Sequence, residues 1–400
     1  MPRVVIAGGG IGGLALALRV AQRGGTAVVL ERDPQFTELG AGIQLAPNAF
    51  RALEEMGVAG PVRERAVHID ELCFMDAVGG ARVAALPLKG AYRERFGQPY
   101  AVVHRTDLYQ PLLDACRSAA GVRLVPGRRV IDYDQDAAGV SVRLATGTSV
   151  RGDVLVGADG IRSMVRRRLV GDGPPKVSGH SIYRTLIPME RVPGHLRWTS
   201  VKLWAGPRLH VVHYPVAGGE FLNLAVTRDD GARHEVVGER VDAGLVRSVV
   251  EDMCPTVRSL VDLGTDWRTW VLCDRDPVSD WTDGRVALLG DAAHPMLQYA
   301  AQGAAMALED AVVLGDLIKG DPADCAQRLQ KYNALRRERA ADAQWVSREM
   351  GRRLYHPRGE EARERDRMLS GLSVDDLFDK VAWLHGSTDF VEALPHGRTR

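Results

Sequence analysis

Net charge is almost absent from this sequence: 52 Lys and Arg stand against 51 Asp and Glu, a formal +1 with both signs interspersed. Such a chain builds no field to gather nucleic acid or an anionic membrane surface, so neither is an expected partner. Cysteine is scarce and lacks a binding pattern. Cys73, Cys116, Cys254, Cys273 and Cys325 make an odd count with no Cys-x-x-Cys spacing, which argues against a disulfide framework, a dithiol redox pair and a zinc site. They read as buried thiols, with no metal. Long apolar runs are missing as well, since no stretch nears the roughly twenty residues of a membrane span. The opening MPRVVIAGGG passes from a short apolar run straight into glycines, too soon for a signal-peptide core. A soluble, cytoplasmic protein is expected. Internal repeats and low-complexity tracts are likewise absent. Arginine clusters at Arg166 to Arg168 and Arg336 to Arg339 read as solvated helix faces without function.

What is present is a 400-residue globular composition, 45% hydrophobic and 26% charged, enough for two intimately joined lobes. Arg3 to Ala7 reads as a buried parallel strand, Leu14 to Arg23 as a helix stopped by Gly24-Gly25, and Thr26 to Leu30 as a second strand ending in Glu31-Arg32. The glycine- and proline-rich stretch from Gly40 to Pro47 is too ordered in composition for a linker and leads into a helix from Asn48 to Glu55. Strands are expected at 67–76, 82–86, 122–125, 128–134, 140–144, 154–157 and 286–289, with strand-like character through 178–226 and a turn at Ala217 to Glu220. Helical spacing marks 106–119, 303–317 and 326–353.

Three motifs carry chemistry. The first is the loop Gly8-x-Gly10-Ile11-x-Gly13 between a strand and a helix, with Glu31 closing the next strand. Its glycines allow a tight turn and close approach of a pyrophosphate to the helix N-terminus, and the acid can hold ribose hydroxyls. Glu31 favours a free 2′-hydroxyl at this site, and Arg32 stands beside it. The second motif runs from Asp153 to Ser163 and delivers Asp159 and Gly160 from a buried strand. The third runs from Arg285 to Pro295 and delivers Gly290 and Asp291 from another. Asp159 and Asp291 also read as helix caps, a role compatible with ligand binding.

Together these motifs resemble the single-component flavin-dependent aromatic hydroxylases, over nearly the whole chain. The resemblance implies an α/β fold: a Rossmann-like FAD-binding domain of the p-hydroxybenzoate hydroxylase type, formed by 1–70, 100–175 and 275–350. Interleaved with it is a mixed, largely antiparallel substrate domain of 71–99 and 176–274, followed by C-terminal helices over 351–400. It implies bound FAD contacted by Gly8, Gly10, Ile11, Gly13, Glu31 and Arg32. Asp291 would meet the ribityl chain, Pro295 and Gly303 would frame the flavin ring, and Gly42-Ile43-Gln44 would border it. Arg105 would touch FAD, and Asp159 would lie near both FAD and a pyridine nucleotide. No second glycine fingerprint occurs, which suits NADH, with NADPH open, as a visiting co-substrate. The missing Cys pair opposes disulfide reductases, and a missing Trp-x-Trp-x-Ile-Pro opposes flavin halogenases. A homodimer is also implied.

Within that family, the stretches Gly206 to Pro215 and Pro295 to Tyr299 resemble the hydroxylases of 3-hydroxybenzoate, in which a His, a Tyr and a Gln surround the phenol. Here those are His210, Tyr214 and Gln298, and Trp383 to Gly386 matches the same group. The implied reaction is para-hydroxylation of a small phenolic acid with O2, 3-hydroxybenzoate to gentisate. Chemistry supports the trio, because oxygen delivered from a reduced flavin is electrophilic and attacks a ring enriched by loss of its phenol proton. A histidine takes that proton near neutrality while Tyr and Gln orient the ring. By strand parity His213 faces away from His210, Val212 and Tyr214. Left open are a salicylate-type decarboxylating hydroxylase, a tailoring hydroxylase of a larger aromatic, and a non-catalytic FAD-binding partner protein.

Overall fold

The computed structural model describes residues 1–37 and 40–386. Two large sheets organise them. The first has six strands in the order Thr282–Asp283, Val286–Leu288, Val154–Gly157, Arg3–Ala7, Thr26–Leu30 and Val122–Val125. All pair in parallel except the antiparallel Thr282–Asp283 edge. Its central strands are apolar throughout because helices cover both faces, as parallel sheets require. The register pairs Ala7 with Gly157 and Gly157 with Leu288. Three motifs more than a hundred residues apart in sequence therefore end side by side at the carboxyl edge of one sheet, where open α/β sheets bind ligands.

The second sheet has eight strands, in the order Val237–Val241, Trp267–Asp274, Lys176–Pro188, Phe221–Asp229, Leu209–Val216, Ser200–Gly206, Glu71–Asp76 and Arg82–Pro87. Its pairs are antiparallel save Ser200–Gly206 with Glu71–Asp76. One face packs Trp204, Val211, Leu222, Leu224 and Val226 onto the helices Ala243–Val249 and Pro255–Asp262. The opposite face carries Tyr214 and Val212 and packs toward Ala46, Tyr100 and Val102 of the nucleotide-binding part. A site between the sheets follows from that second face.

Several expectations shift. The Gly40 to Pro47 segment contains a strand, Gly42–Leu45, paired with Ala101–His104. The long terminal helix runs from Cys325 to Glu349 and continues as a wider π-helical turn, Met350–Tyr355. The helices Glu360–Ser370 and Val374–His385 follow, and the last part of the expected 351–400 extension lies outside the described residues. Arg166 and Arg336 are corrections: neither is solvated. Arg166 is wholly buried, donating to Asp172 and to the carbonyls of Ala292 and Ala293. Arg336 is buried between two carboxylates. A run of arginines says nothing by itself about which side chain meets a buried acid. Arg168, by contrast, is 40% exposed over the Tyr133 ring. The cysteines are free, four buried and Cys273 half-buried. Among the described residues no helix is long and apolar enough to cross a membrane, and no cluster could hold a metal ion.

Candidate active site

At the first motif the backbone itself is the binding surface. Gly8 adopts φ +108°, and a Cβ there would lie 2.3 Å from the Ala158 carbonyl; a Cβ on Gly13 would lie 2.1 Å from the Gly8 carbonyl. These contacts close the turn onto the second motif and bring the helix Ile11–Gln22 tight against its strand. Gly10 caps that helix without a side chain, so its first N–H groups meet no side-chain acceptor. Glu31 holds the loop, accepting from the N–H of Gly9 at 2.7 Å and of Asp33 at 2.9 Å. Arg32 points outward, 69% exposed beside Asp33. Ile11 is buried as part of the core.

At the start of the Met164–Leu169 helix, which Ser163 caps by accepting from the Arg166 N–H, Asp159 accepts from the Met164 N–H at 2.7 Å. Its second oxygen is buried with no partner among the described residues, and burial pushes the carboxyl above its ordinary range, against the pull of Ser163 and the backbone N–H groups. Asp291 is exposed at the end of the third motif. A Cβ on Gly303 would lie 3.9 Å from its carboxylate, so Asp291 stands beside the start of the Gly303–Leu317 helix, which no side chain caps. Pro295 is fixed by its carbonyl, which accepts from Gln344 at 2.9 Å. Two uncapped helix starts, an unpartnered buried carboxylate oxygen and glycines that permit close approach fit an FAD laid along this edge.

Beneath the third motif lies a network that sequence reading missed. His294 meets Asp310 at 2.6 Å, and Asp310 also accepts from the Gly290 N–H. Arg336 joins Asp310 at 2.7 Å to Glu309 at 2.6 Å, Arg339 adds 2.8 Å to Glu309, and Asn48 donates to Glu309 at 2.7 Å. Burial alone would raise the Glu309 carboxyl, but Arg339 and Arg336 hold it down at about 2. The network ties the loop that carries Asp291 to the Gly303–Leu317 helix through Asp310.

On the second sheet, His210, Val212 and Tyr214 share the inner face, as parity requires. His213 turns the other way and accepts from the Trp204 indole at 3.1 Å. Across the strands, Tyr214 pairs with Asn223, Val212 with Ala225 and His210 with Thr227; Ala225 then pairs with Arg184 on the next strand. Gln298 closes over this patch, accepting from Arg184 at 2.5 Å and donating to Thr227 at 3.2 Å. From the strand Gly42–Leu45 comes Gly42: its N–H donates to Asn223 at 3.0 Å, and a Cβ there would lie 2.4 Å from the Tyr214 ring. Gln44 accepts from Tyr100 at 2.6 Å and also reaches the Tyr214 hydroxyl. Ile43 lies half-buried between them. Arg105 opens the helix Arg105–Ser118, its charge felt at Arg184.

Burial pushes Tyr214 up to about 12, against Arg184 and Gln44, so it is a neutral donor. His210 is pushed well below its ordinary value by burial and then by His356 and His180. Its Nδ1 lies 2.9 Å from His356 Nε2, and its ring packs on Tyr299 and Tyr355. His356, itself lowered to about 3 by burial and His180, comes from beyond the π-helical turn. The structure thus gathers His210, Tyr214 and Gln298 on one patch and adds His356, Arg184, Asn223 and Thr227. A faint signal existed for some of these, since Asn223 and Thr227 interrupt the apolar strand Phe221–Asp229 at even spacing.

A family profile described as "FAD binding domain" matches residues 1–346. The chain is 44% identical over 383 residues to "3-hydroxybenzoate 6-hydroxylase 1" of Aquipseudomonas alcaligenes, covering 96% of this chain and 97% of that one. It is 41% identical to "3-hydroxybenzoate 6-hydroxylase" of Polaromonas naphthalenivorans (strain CJ2), covering 96% and 95%. Its fold is similar to that of a salicylate hydroxylase in a substrate complex, at TM-score 0.83 and 26% identity over 97% of this chain and 96% of the other.

Proposed function

The chain belongs to the FAD-binding family of aromatic hydroxylases, and from that premise we propose that it converts 3-hydroxybenzoate to gentisate with O2 and NADH. The observation that carries the reading is the polar patch around Ala225, where His210, Tyr214 and Gln298 share a face beside Gly42. FAD held along the glycine loop and the Asp159 and Asp291 motifs would supply the activated oxygen atom. The rest is done by the chain. His210 Nε2 takes the phenol proton, a role that requires Nδ1–H to be the donor in the 2.9 Å contact with His356 Nε2. Neutral Tyr214 donates its hydroxyl proton in a hydrogen bond, and Gln298, with its amide oriented by Arg184 and Thr227, keeps one N–H for the phenolic oxygen. These contacts point the ring carbon para to the hydroxyl at the flavin. His210, Tyr214 and Gln298 are the catalytic set of this proposal. The cofactor set is Gly8, Gly10, Ile11, Gly13, Glu31, Arg32, Gly42, Ile43, Gln44, Arg105, Asp159, Asp291, Pro295 and Gly303, and the working unit is a homodimer.

The test is NADH oxidation by the FAD-loaded protein with a panel of hydroxybenzoates. Stimulation by 3-hydroxybenzoate with gentisate as product is the expected result. Catechol formed from salicylate would replace this reading by decarboxylating hydroxylation, and no stimulation by any member would leave a larger aromatic or a non-catalytic role.

A further inference from the structure

The same patch holds a cation that the proton chemistry does not need. Arg184 lies on the inner face of Lys176–Pro188, and its guanidinium donates to Gln298 Oε1 at 2.5 Å and lies 5.7 Å from the centroid of the Trp270 ring. Among the described residues no carboxylate pairs with it. The groups whose charge it feels are the Tyr214 hydroxyl and a second cation, Arg105. Among the described residues, three fully buried arginines are matched by acids: Arg19 by Asp316, Arg166 by Asp172, Arg336 by Glu309 and Asp310. Arg184 is half-buried, and a guanidinium partly withdrawn from water without a counter-charge gains when an anion arrives in its fork.

Geometry says where that anion sits. The cross-strand row Val212, Ala225, Arg184 has its smallest side chain in the middle. Adjacent strands lie about 4.8 Å apart, so roughly 10 Å separates the strand of His210 and Tyr214 from that of Arg184. Over Ala225 this leaves the span of one benzene ring, with His210 and Tyr214 at one side and Arg184 at the other. Resting on the reading of the site as a hydroxybenzoate pocket, we infer that Arg184 is the carboxylate anchor and selects aromatic acids over neutral phenols. Gln298, held by Arg184, then ties the seat of the carboxylate to that of the phenolic oxygen.

The experiment is a flavin-absorbance titration of the FAD-loaded protein with 3-hydroxybenzoate and with the neutral 3-hydroxybenzyl alcohol, for the parent, Arg184→Met and Arg184→Lys. Removing one partner of a desolvated charge pair weakens binding by about 100-fold. Arg184→Met is expected to lose about that factor for the acid and less than about threefold for the alcohol, with Arg184→Lys recovering part of the acid's affinity. Equal loss for both ligands would mean that Arg184 only positions Gln298, and unchanged acid binding would mean that it contacts no carboxylate; either overturns the assignment alone. A parent that binds no hydroxybenzoate overturns the pocket reading and this assignment together.

Discussion

At His210, one ring nitrogen is committed and the other is not. The contact with His356 occupies one edge of the ring, and burial keeps the ring neutral, leaving Nε2 as the free edge. Positioned general bases contribute typically 10² to 10⁴-fold. His210→Ala should therefore retain FAD and substrate-stimulated NADH oxidation while product yield falls at least about tenfold and hydrogen peroxide takes its place. A stopped-flow comparison of the two half-reactions with peroxide quantification reads this directly, and undiminished product yield would remove His210 from the chemistry. The residue was visible in the sequence because its neighbours matched a known pattern. Its partner was not: His356 lies 146 residues away, and nothing local marks a histidine after a helix as the mate of one on a strand.

At the scale of elements, the Gly303–Leu317 helix is tied to the Gly290 loop by acids in its own middle. Glu309 and Asp310 are buried with Arg336 from the Cys325–Glu349 helix, and Asp310 reaches back to the Gly290 N–H. Arg336→Met leaves two carboxylates buried with less compensation, a loss of about 3 to 5 kcal/mol. Denaturant unfolding should show it, together with weaker FAD retention because the Asp291 loop loses its support; unchanged stability would contradict the network's role. Arg3–Ala7, Thr26–Leu30 and Val154–Gly157 fall where the apolar runs place them, whereas Val237–Val241 and Trp267–Asp274 of the second sheet were not expected from periodicity. Strand order was not legible either. Phe221–Asp229 lies between Leu209–Val216 and Lys176–Pro188, and only that order puts Thr227 and Arg184 beside Gln298. Local patterning carries which face a residue occupies, and the neighbours across the sheet come from topology.

For the whole molecule, buried neutral histidines couple folding to pH. Burial holds His213, His356 and His385 at about 3, with nearby cations adding to the effect, and it pushes His210 well down. In the unfolded chain the same rings protonate near 6.5. Between those values the unfolded state binds more protons, so stability rises with pH across the window and is lost as pH falls below about 6.5. A thermal midpoint that drops steadily from about pH 7 to pH 5 is expected for the FAD-loaded protein, and a flat profile would mean that these rings are not buried as described.

The central claim is insertion of one oxygen atom from O2 para to the phenol of 3-hydroxybenzoate. Its most direct test is mass spectrometry of the product formed under oxygen-18 gas with NADH. Gentisate carrying a single oxygen-18 in its new hydroxyl is the outcome this account requires; unlabelled product, a different isomer, or hydrogen peroxide alone would contradict it.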